Sequence, residues 1–224
     1  MRELTNESKR PAVPVLQGVT RPVLVSALFF MVVAGIVYPL VTTGAAAILF
    51  PDQARGSLIQ RSRQVVGSAV IGQYFTRPEY FHSRPSATTA PDPKDASKTV
   101  DAPYNAGASA ASNQGVLSKK LLEAVAARSR SYRDENGLGQ NAKIPVDAVT
   151  ASASGLDPDI SLANARLQVS RVAKARAMPT QDLLRLIDRQ TTGRQLGVLG
   201  DPRINVVQLN LALDVAAHRR SAAQ

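Results

Sequence analysis

The sequence predicts an α+β protein with one N-terminal transmembrane helix followed by a single mixed α/β extracytoplasmic domain. Three observations carry this. From Pro22 to Pro51 there is no charged residue, while the rest of the chain is ordinary polar sequence. Beyond that run, apolar residues recur at helical spacing in several segments. Between those segments lie short stretches of β-branched residues bounded by Gly, Pro, Asn and Asp.

The apolar run reads VLVSALFFMVVAGIVYPLVTTGAAAILF. A bilayer core needs about 20 helical residues, so the run spans it with length for tilt. Residues 1–21 form a short tail, 22–50 the membrane helix and 51–224 the soluble domain. Pro39 lacks the backbone donor that an interior helical residue supplies, and a kink is expected there. Ser26, Ala27, Ala34 and Gly35 are small enough for a second helix to approach closely, so these four and Pro39 are the expected contacts with a partner helix. Ala45-Ala46-Ala47 offers a signal-cleavage site, but a signal h-region is only about 7–15 residues, and retention is expected. Arg2, Lys9, Arg10 and Arg21 precede the run, and Arg55, Arg61 and Arg63 follow it. That count is nearly balanced. A short tail stays inside more readily than a long domain is held back, so the N-terminus is placed in the cytoplasm.

In the soluble part, Val65-Val66 and Ala69-Val70-Ile71 suggest a strand or a hairpin pair. Residues 76–115 are rich in Pro, Ser, Ala and Thr and lack periodicity; a functional or partner-bound loop and a disordered segment are both open. Residues 118–133 predict a helix with Leu121, Leu122 and Val125 on one face and a stop at Asn136-Gly137. The alternating IPVDAVTA of residues 144–151 predicts a strand. A second helix runs from about Ser161 to Ala177 on the stripe Leu162, Ala165, Val169 and Val172. Pro179 ends that region, and Thr180 is placed to cap a third helix through Arg189, with Asp182 near its positive end. That helix should bury Leu183, Leu184 and Ile187. Residues 193–202 read as a glycine-punctuated loop or short strand. Residues 204–217 are strand or helix, with Val207, Leu211 and Val215 favouring helix.

Composition closes off much chemistry. With no cysteine there is no disulfide, thiol nucleophile, thiolate metal site or lipidated cysteine. The two histidines, His82 and His218, are far apart, so a zinc site is not expected. The net charge of +10 is scattered and aromatics are only 4%, which fits lipid headgroups or acidic partners better than nucleic acid. There is no Gly-Lys pair for a phosphate loop, no G-x-G-x-x-G, no Asp-Lys-Thr-Gly, no G-x-S-x-G and no S-x-x-K. Asp147, Asp157 and Asp159 have acid–base capacity, but Asp also caps and closes turns, and that is the expected role.

Specific segments go further. GSAVIGQYFTRPEYFHSRPSAT at 67–88, YNAGASAASNQG at 104–115, IPVDAVTASASGLDPDIS at 144–161, RVAKARAMP at 171–179 and TGRQLGVLGDPRINVVQLNLALD at 192–214 occur in order behind one span. In this the chain closely resembles the C subunit of the Kdp potassium-transporting P-type ATPase. Thr191-Thr192-Gly193-Arg194 departs from the family's usual His followed by an acidic residue and Gly-Arg. The resemblance implies a single-pass protein of the bacterial inner membrane with its bulk outside the cytoplasm. It implies a complex with a potassium-channel-like subunit, a P-type ATPase subunit and a small accessory subunit. Potassium is then the transported ion, and no cofactor is firmly bound. The C subunit of this family is described as a catalytic chaperone that supports assembly and raises the ATPase subunit's affinity for ATP, with nucleotide binding also attributed to it. Gly193, Arg194, Gln195 and Gly197 are the nearest candidates for such contacts, although their glycines equally suit a tight turn. ATP inside the cell does not meet a domain outside it, and an allosteric route fits that topology better. An anchored extracytoplasmic enzyme or a free-standing binding module is the alternative.

Overall fold

The computed structural model describes residues 18–61 and 63–221. They form two compact units, one ending at Arg55 and one beginning at Gly56.

The first unit is dominated by a continuous helical run, Thr20–Leu49, of 30 residues, whose most apolar 18-residue stretch has a mean hydropathy of 2.4 and none of whose residues is buried within the chain. At about 1.5 Å per residue, such a run exceeds the roughly 30 Å of a hydrocarbon core. It comprises α1 (Thr20–Val32), a π turn (Val33–Val37) and α2 (Tyr38–Leu49). The π turn has a local cause. Pro39 offers no N–H to the carbonyl of Gly35, four residues back. The Tyr38 N–H reaches instead to the carbonyl of Val33, one residue further than an α-helix would allow. A one-turn helix, α3 (Pro51–Ala54), follows.

The second unit opens with an antiparallel hairpin, β1 (Leu58–Arg61) and β2 (Gln64–Ser68). Val65-Val66 lies in β2, but Ala69-Val70-Ile71 is not its partner. A turn there folds Ile71 back to bridge Ser68, and the pairing strand precedes β2 instead. Residues 76–115 are not structureless. They contain a second hairpin, β3 (Thr89–Asp92) and β4 (Asp95–Asp101), whose polar composition hid its alternation. A third sheet has the order β5-β7-β6 and is antiparallel throughout, from β5 (Asp159–Ser161), β6 (Thr191–Thr192) and β7 (Arg203–Asn205).

Helices supply most of the core. α4 (Lys119–Asn136) ends where Gly137 takes a left-handed conformation at φ 63°. Its buried residues include Tyr132, and Val125 of the expected face Leu121, Leu122 and Val125 packs beside it, while Leu122 faces solvent. α5 (Leu162–Arg176) is capped by Ser161, which accepts the Asn164 N–H at 3.1 Å. Ala165, Val169 and Val172 of its stripe are buried, and Leu162 packs at their edge. α6 (Thr180–Gln190) has Pro179 at the cap position. Thr180 is therefore the first helical residue and makes no side-chain cap, a correction to its expected role. Leu183 and Ile187 are fully buried. α7 (Val206–Ser221) begins after the strand that contains Ile204. Its main buried line runs through Val206, Leu209, Asn210 and Leu213; Val207 of the expected line is also buried, while Val215 is exposed. One cluster joins these side chains with Phe81 and Ile160; Tyr132, Ala148 and Val149 form a smaller one.

The strand expected at 144–151 is instead a 3₁₀ turn at Val146–Ala148. Asp147 explains it. Its carboxylate accepts from the Ser161 N–H at 2.8 Å, the Ser161 hydroxyl at 2.9 Å and the Asn164 amide at 2.9 Å. Alternation placed Asp147 where a strand would face solvent, yet it organises the start of α5.

Gly155 closes the region behind β3. It has φ +68°, and a Cβ there would sit 2.6 Å from Thr88 Cγ2 and 2.7 Å from the Ala110 carbonyl. Backbone conformation and space both demand glycine. Gly155→Ala should cost about 3 kcal/mol by overpacking and left-handed strain. A change in urea midpoint corresponding to less than 1 kcal/mol would show that the surrounding loops yield.

Candidate functional site

Three of the family-like segments, 67–88, 171–179 and 192–214, meet at one strap, residues 78–82, which opens in a turn where the Tyr80 N–H donates to the Arg77 carbonyl at 3.1 Å. An isolated strap has no sheet neighbour, and each buried main-chain group without a partner costs about 1–3 kcal/mol. Here side chains from α5 and α7 take the place of neighbouring strands. Phe81 donates its N–H to Asn210 Oδ1 at 2.9 Å, and Asn210 Nδ2 donates to the Phe81 carbonyl at 2.9 Å. One residue on, the His82 N–H donates to Gln168 Oε1 at 2.7 Å, and Gln168 Nε2 returns a bond to the His82 carbonyl at 3.1 Å. Arg171 donates to the carbonyls of Pro78 at 2.7 Å and Tyr80 at 2.9 Å. Arg176 donates to the Glu79 carbonyl at 2.8 Å, and its guanidinium lies 4.7 Å from the centre of the Tyr80 ring. Asn210 and Gln168 are almost wholly buried, and Phe81 fills the main core.

The clamps are themselves held. Arg171 Nη2 donates to Gln168 Oε1 at 2.7 Å and its Nε to Asn136 Oδ1 at 3.1 Å. Arg176 pairs with Asp214 at 2.8 Å. Burial pulls the Arg171 guanidinium below its ordinary pKa. The Tyr132 hydroxyl donates to Asn164 Oδ1 at 2.8 Å, and burial raises its pKa.

Downstream of the strap, Thr88 Oγ1 donates to the Ala102 carbonyl at 2.6 Å, and the Tyr104 hydroxyl donates to the Arg84 carbonyl at 2.9 Å. Burial pushes the Tyr104 pKa up to about 12. A cavity of about 330 Å³ lies beside the strap, walled by Phe75, His82, Arg84, Arg128, Tyr132 and Glu135. His82 Nδ1 stands 3.4 Å from Glu135. The hydrogen bond from that imidazole holds the Glu135 carboxyl below the usual range. A depressed carboxyl contributes stability that is present above the unfolded value near pH 4.3 and lost as pH falls through the folded value. Glu135 is half exposed, so the contribution should be about 0.5 kcal/mol. Urea titrations at pH 6 and pH 3 should show Glu135→Gln losing correspondingly less on acidification than the parent. An identical loss in both would remove the assignment.

The three aspartates with acid–base capacity are engaged in building the fold. Asp147 holds Ser161, the cap of α5, Asp157 pairs with Arg84 at 2.8 Å and Asp159 pairs with Arg203 at 2.9 Å. The glycine-containing segment is a tight turn. Gln195 and Leu199 exchange both backbone bonds at 2.9 Å, Gly197 N–H donates to the Arg194 carbonyl at 3.2 Å and Val198 N–H to the Gln195 carbonyl at 3.2 Å. Arg194 pairs with Asp201 at 3.0 Å. Gly193 has open space around its Cα. In the first unit, Ser26, Ala27, Ala34, Gly35 and Pro39 are all exposed within the chain. The Ser26 hydroxyl is bonded within its own helix, to the carbonyls of Pro22 and Val23.

Sequence reasoning did not identify Gln168, Arg171, Arg176 and Asn210 as the strap's clamps. The available signal was a polar residue in the buried line of a helix, Gln168 before Val169 and Asn210 after Leu209.

An apolar helix long enough to cross a bilayer, joined to an α+β unit whose buried polar side chains hold its own backbone, fits the class of single-pass membrane proteins. The family model for the K+-transporting ATPase c chain (KdpC) matches residues 20–215. Potassium-transporting ATPase KdpC subunits from Bradyrhizobium diazoefficiens and Methylobacterium nodulans are each 53% identical over 197 residues, covering 88% of this chain and 96% of theirs. One from Rhodopseudomonas palustris is 53% identical over 199 residues, 89% of this chain and 98% of its own. The chain belongs to this family, as an accessory, non-catalytic subunit of the potassium-transporting ATPase.

Proposed function

We propose that this subunit braces the potassium import complex from outside the cytoplasm. Residues 1–21 stay in the cytoplasm, 22–50 cross the inner membrane and 51–224 stand outside, against the potassium-channel-like subunit. The P-type ATPase subunit and a small accessory subunit complete the assembly. Ser26, Ala27, Ala34, Gly35 and the π turn before Pro39 meet a partner helix. The chain supports assembly and raises the ATPase subunit's affinity for ATP allosterically. A coupling of about 1–3 kcal/mol corresponds to a shift of about 5- to 150-fold.

The observation that carries this reading is the strap. Asn210, Gln168, Arg171 and Arg176 hold residues 78–82 at main-chain atoms, which makes a rigid body fit for bracing. The reading keeps nucleotide away from Gly193, Arg194, Gln195 and Gly197, because the amides of Gln195, Gly197, Val198 and Leu199 are already bonded within the turn.

The test is a mild-detergent pull-down of the C-terminally tagged full chain from potassium-starved cells. The P-type ATPase and channel-like subunits should come down in fixed ratio, and recovery of the chain alone would overturn the proposal. Pro39→Leu removes the cause of the π turn and should lower that recovery several-fold. Unchanged recovery and unchanged growth on low potassium would exclude a role for this bend in assembly.

A further inference from the structure

Two turns among the described residues of the second unit present clustered outward-facing aliphatic side chains, Val116-Leu117 and residues 196–199, and the second is the more extensively tied. Leu196 is 90% exposed, Val198 72% and Leu199 56%. The turn is not loose. The two reciprocal bonds between Gln195 and Leu199, the Gly197 and Val198 bonds, and the Arg194–Asp201 pair fix its shape. Leu196 is held in the left-handed region at φ 51°, which a leucine adopts only under strain, and Gly197 and Gly200 follow at +77° and +72°. Folding thus orders a strained turn whose result is to present Leu196 and Val198 to water, a cost that a covered surface explains.

Lipid and protein are the two surfaces able to cover it. Membrane-inserting loops present aromatic side chains with free cations for headgroups. This turn has no aromatic, and the cations flanking it are paired, Arg194 with Asp201 at 3.0 Å and Arg203 with Asp159 at 2.9 Å. An aliphatic tip with a charge-balanced base matches an uncharged apolar protein groove. We propose that residues 195–199 form a docking turn that seats Leu196 and Val198 in an apolar, extracytoplasmic groove on another subunit of the same complex. This rests on the bracing reading above. It assigns to a small contact, made by the segment otherwise read as a nucleotide loop, part of the grip between this chain and its partner.

The chain has no cysteine, so Leu196→Cys and Val198→Cys place unique thiols on the tip, and Lys119→Cys on α4 serves as an exposed control. Each full-length variant is labelled with benzophenone-maleimide, allowed to assemble and irradiated in membranes. Adducts to one other subunit from positions 196 and 198, and none from 119, are expected. In the assembled complex, a water-soluble maleimide should react at 196 at least tenfold more slowly than in the isolated chain. Leu196→Asp with Val198→Asp should lower retention of the chain in the complex about tenfold or more, with an unchanged far-UV circular dichroism spectrum. Adducts to lipid alone, or equal maleimide rates in complex and isolated chain, overturn the docking turn while leaving the bracing reading intact. Failure of the unmodified tagged chain to recover any other subunit overturns both.

Discussion

Asn210→Leu should lower the unfolding free energy of the full chain by about 4 kcal/mol, read by urea denaturation in detergent with far-UV circular dichroism. Leucine matches asparagine in shape, so the change leaves little cavity. What it removes is the pair of bonds at 2.9 Å to Phe81, leaving a buried N–H and a buried carbonyl without partners. Out of a total stability typically of about 5–15 kcal/mol, that loss is enough to unfold a marginal domain. A loss below 1 kcal/mol would mean that the strap relaxes into water, and that the clamp is not the structural centre of the unit.

Phe81→Ala should cost about 3–5 kcal/mol by a different route. The ring is fully buried among the core residues of α5, α6 and α7. Its truncation opens a cavity while leaving the main-chain bonds in place. The two substitutions meet on one residue, so the double variant should lose clearly less than the sum of the single losses. Strict additivity would show that strap and core respond independently. Absorption chiefly through the tyrosines, with no tryptophan in the chain, makes circular dichroism the practical readout for both.

The parts of the fold legible in the sequence were those written in local periodicity. The stripe Ala165, Val169 and Val172, the pair Leu183 and Ile187 and the Asn136-Gly137 stop each report a helix through its nearest neighbours. The long uncharged run reports its length directly. What escaped depends on partners far along the chain. Residues 144–151 alternate as a strand should, but Asp147 is called away to the start of α5. The polar β3–β4 hairpin has no apolar face to announce it. In α7, Val207 of the expected line is buried and Leu211 partly so, but Val215 is exposed, and the buried face extends to Val206, Leu209 and Leu213 because Asn210 must face the strap. The clamps were illegible for the same reason: a side-chain amide that binds main chain more than 80 residues away leaves no periodic trace. Arg171, Arg176 and Asn210 lie within the family-like segments and Gln168 just outside one, so the resemblance marked the region without revealing its geometry.

The clamp also sets an order of events during synthesis. Phe81 and Asn210 lie 129 positions apart, and at about 5–20 residues per second their appearance is separated by roughly 6–26 s. For that interval the strap has a backbone without partners and an aromatic ring without a core. Closure waits for α7, the most C-terminal helix among the described residues. A truncation before Asn210 should leave the strap unclamped at Phe81. The membrane helix, by contrast, needs nothing downstream. The helix that closes the strap is made long after the strap itself, and acts as its latch.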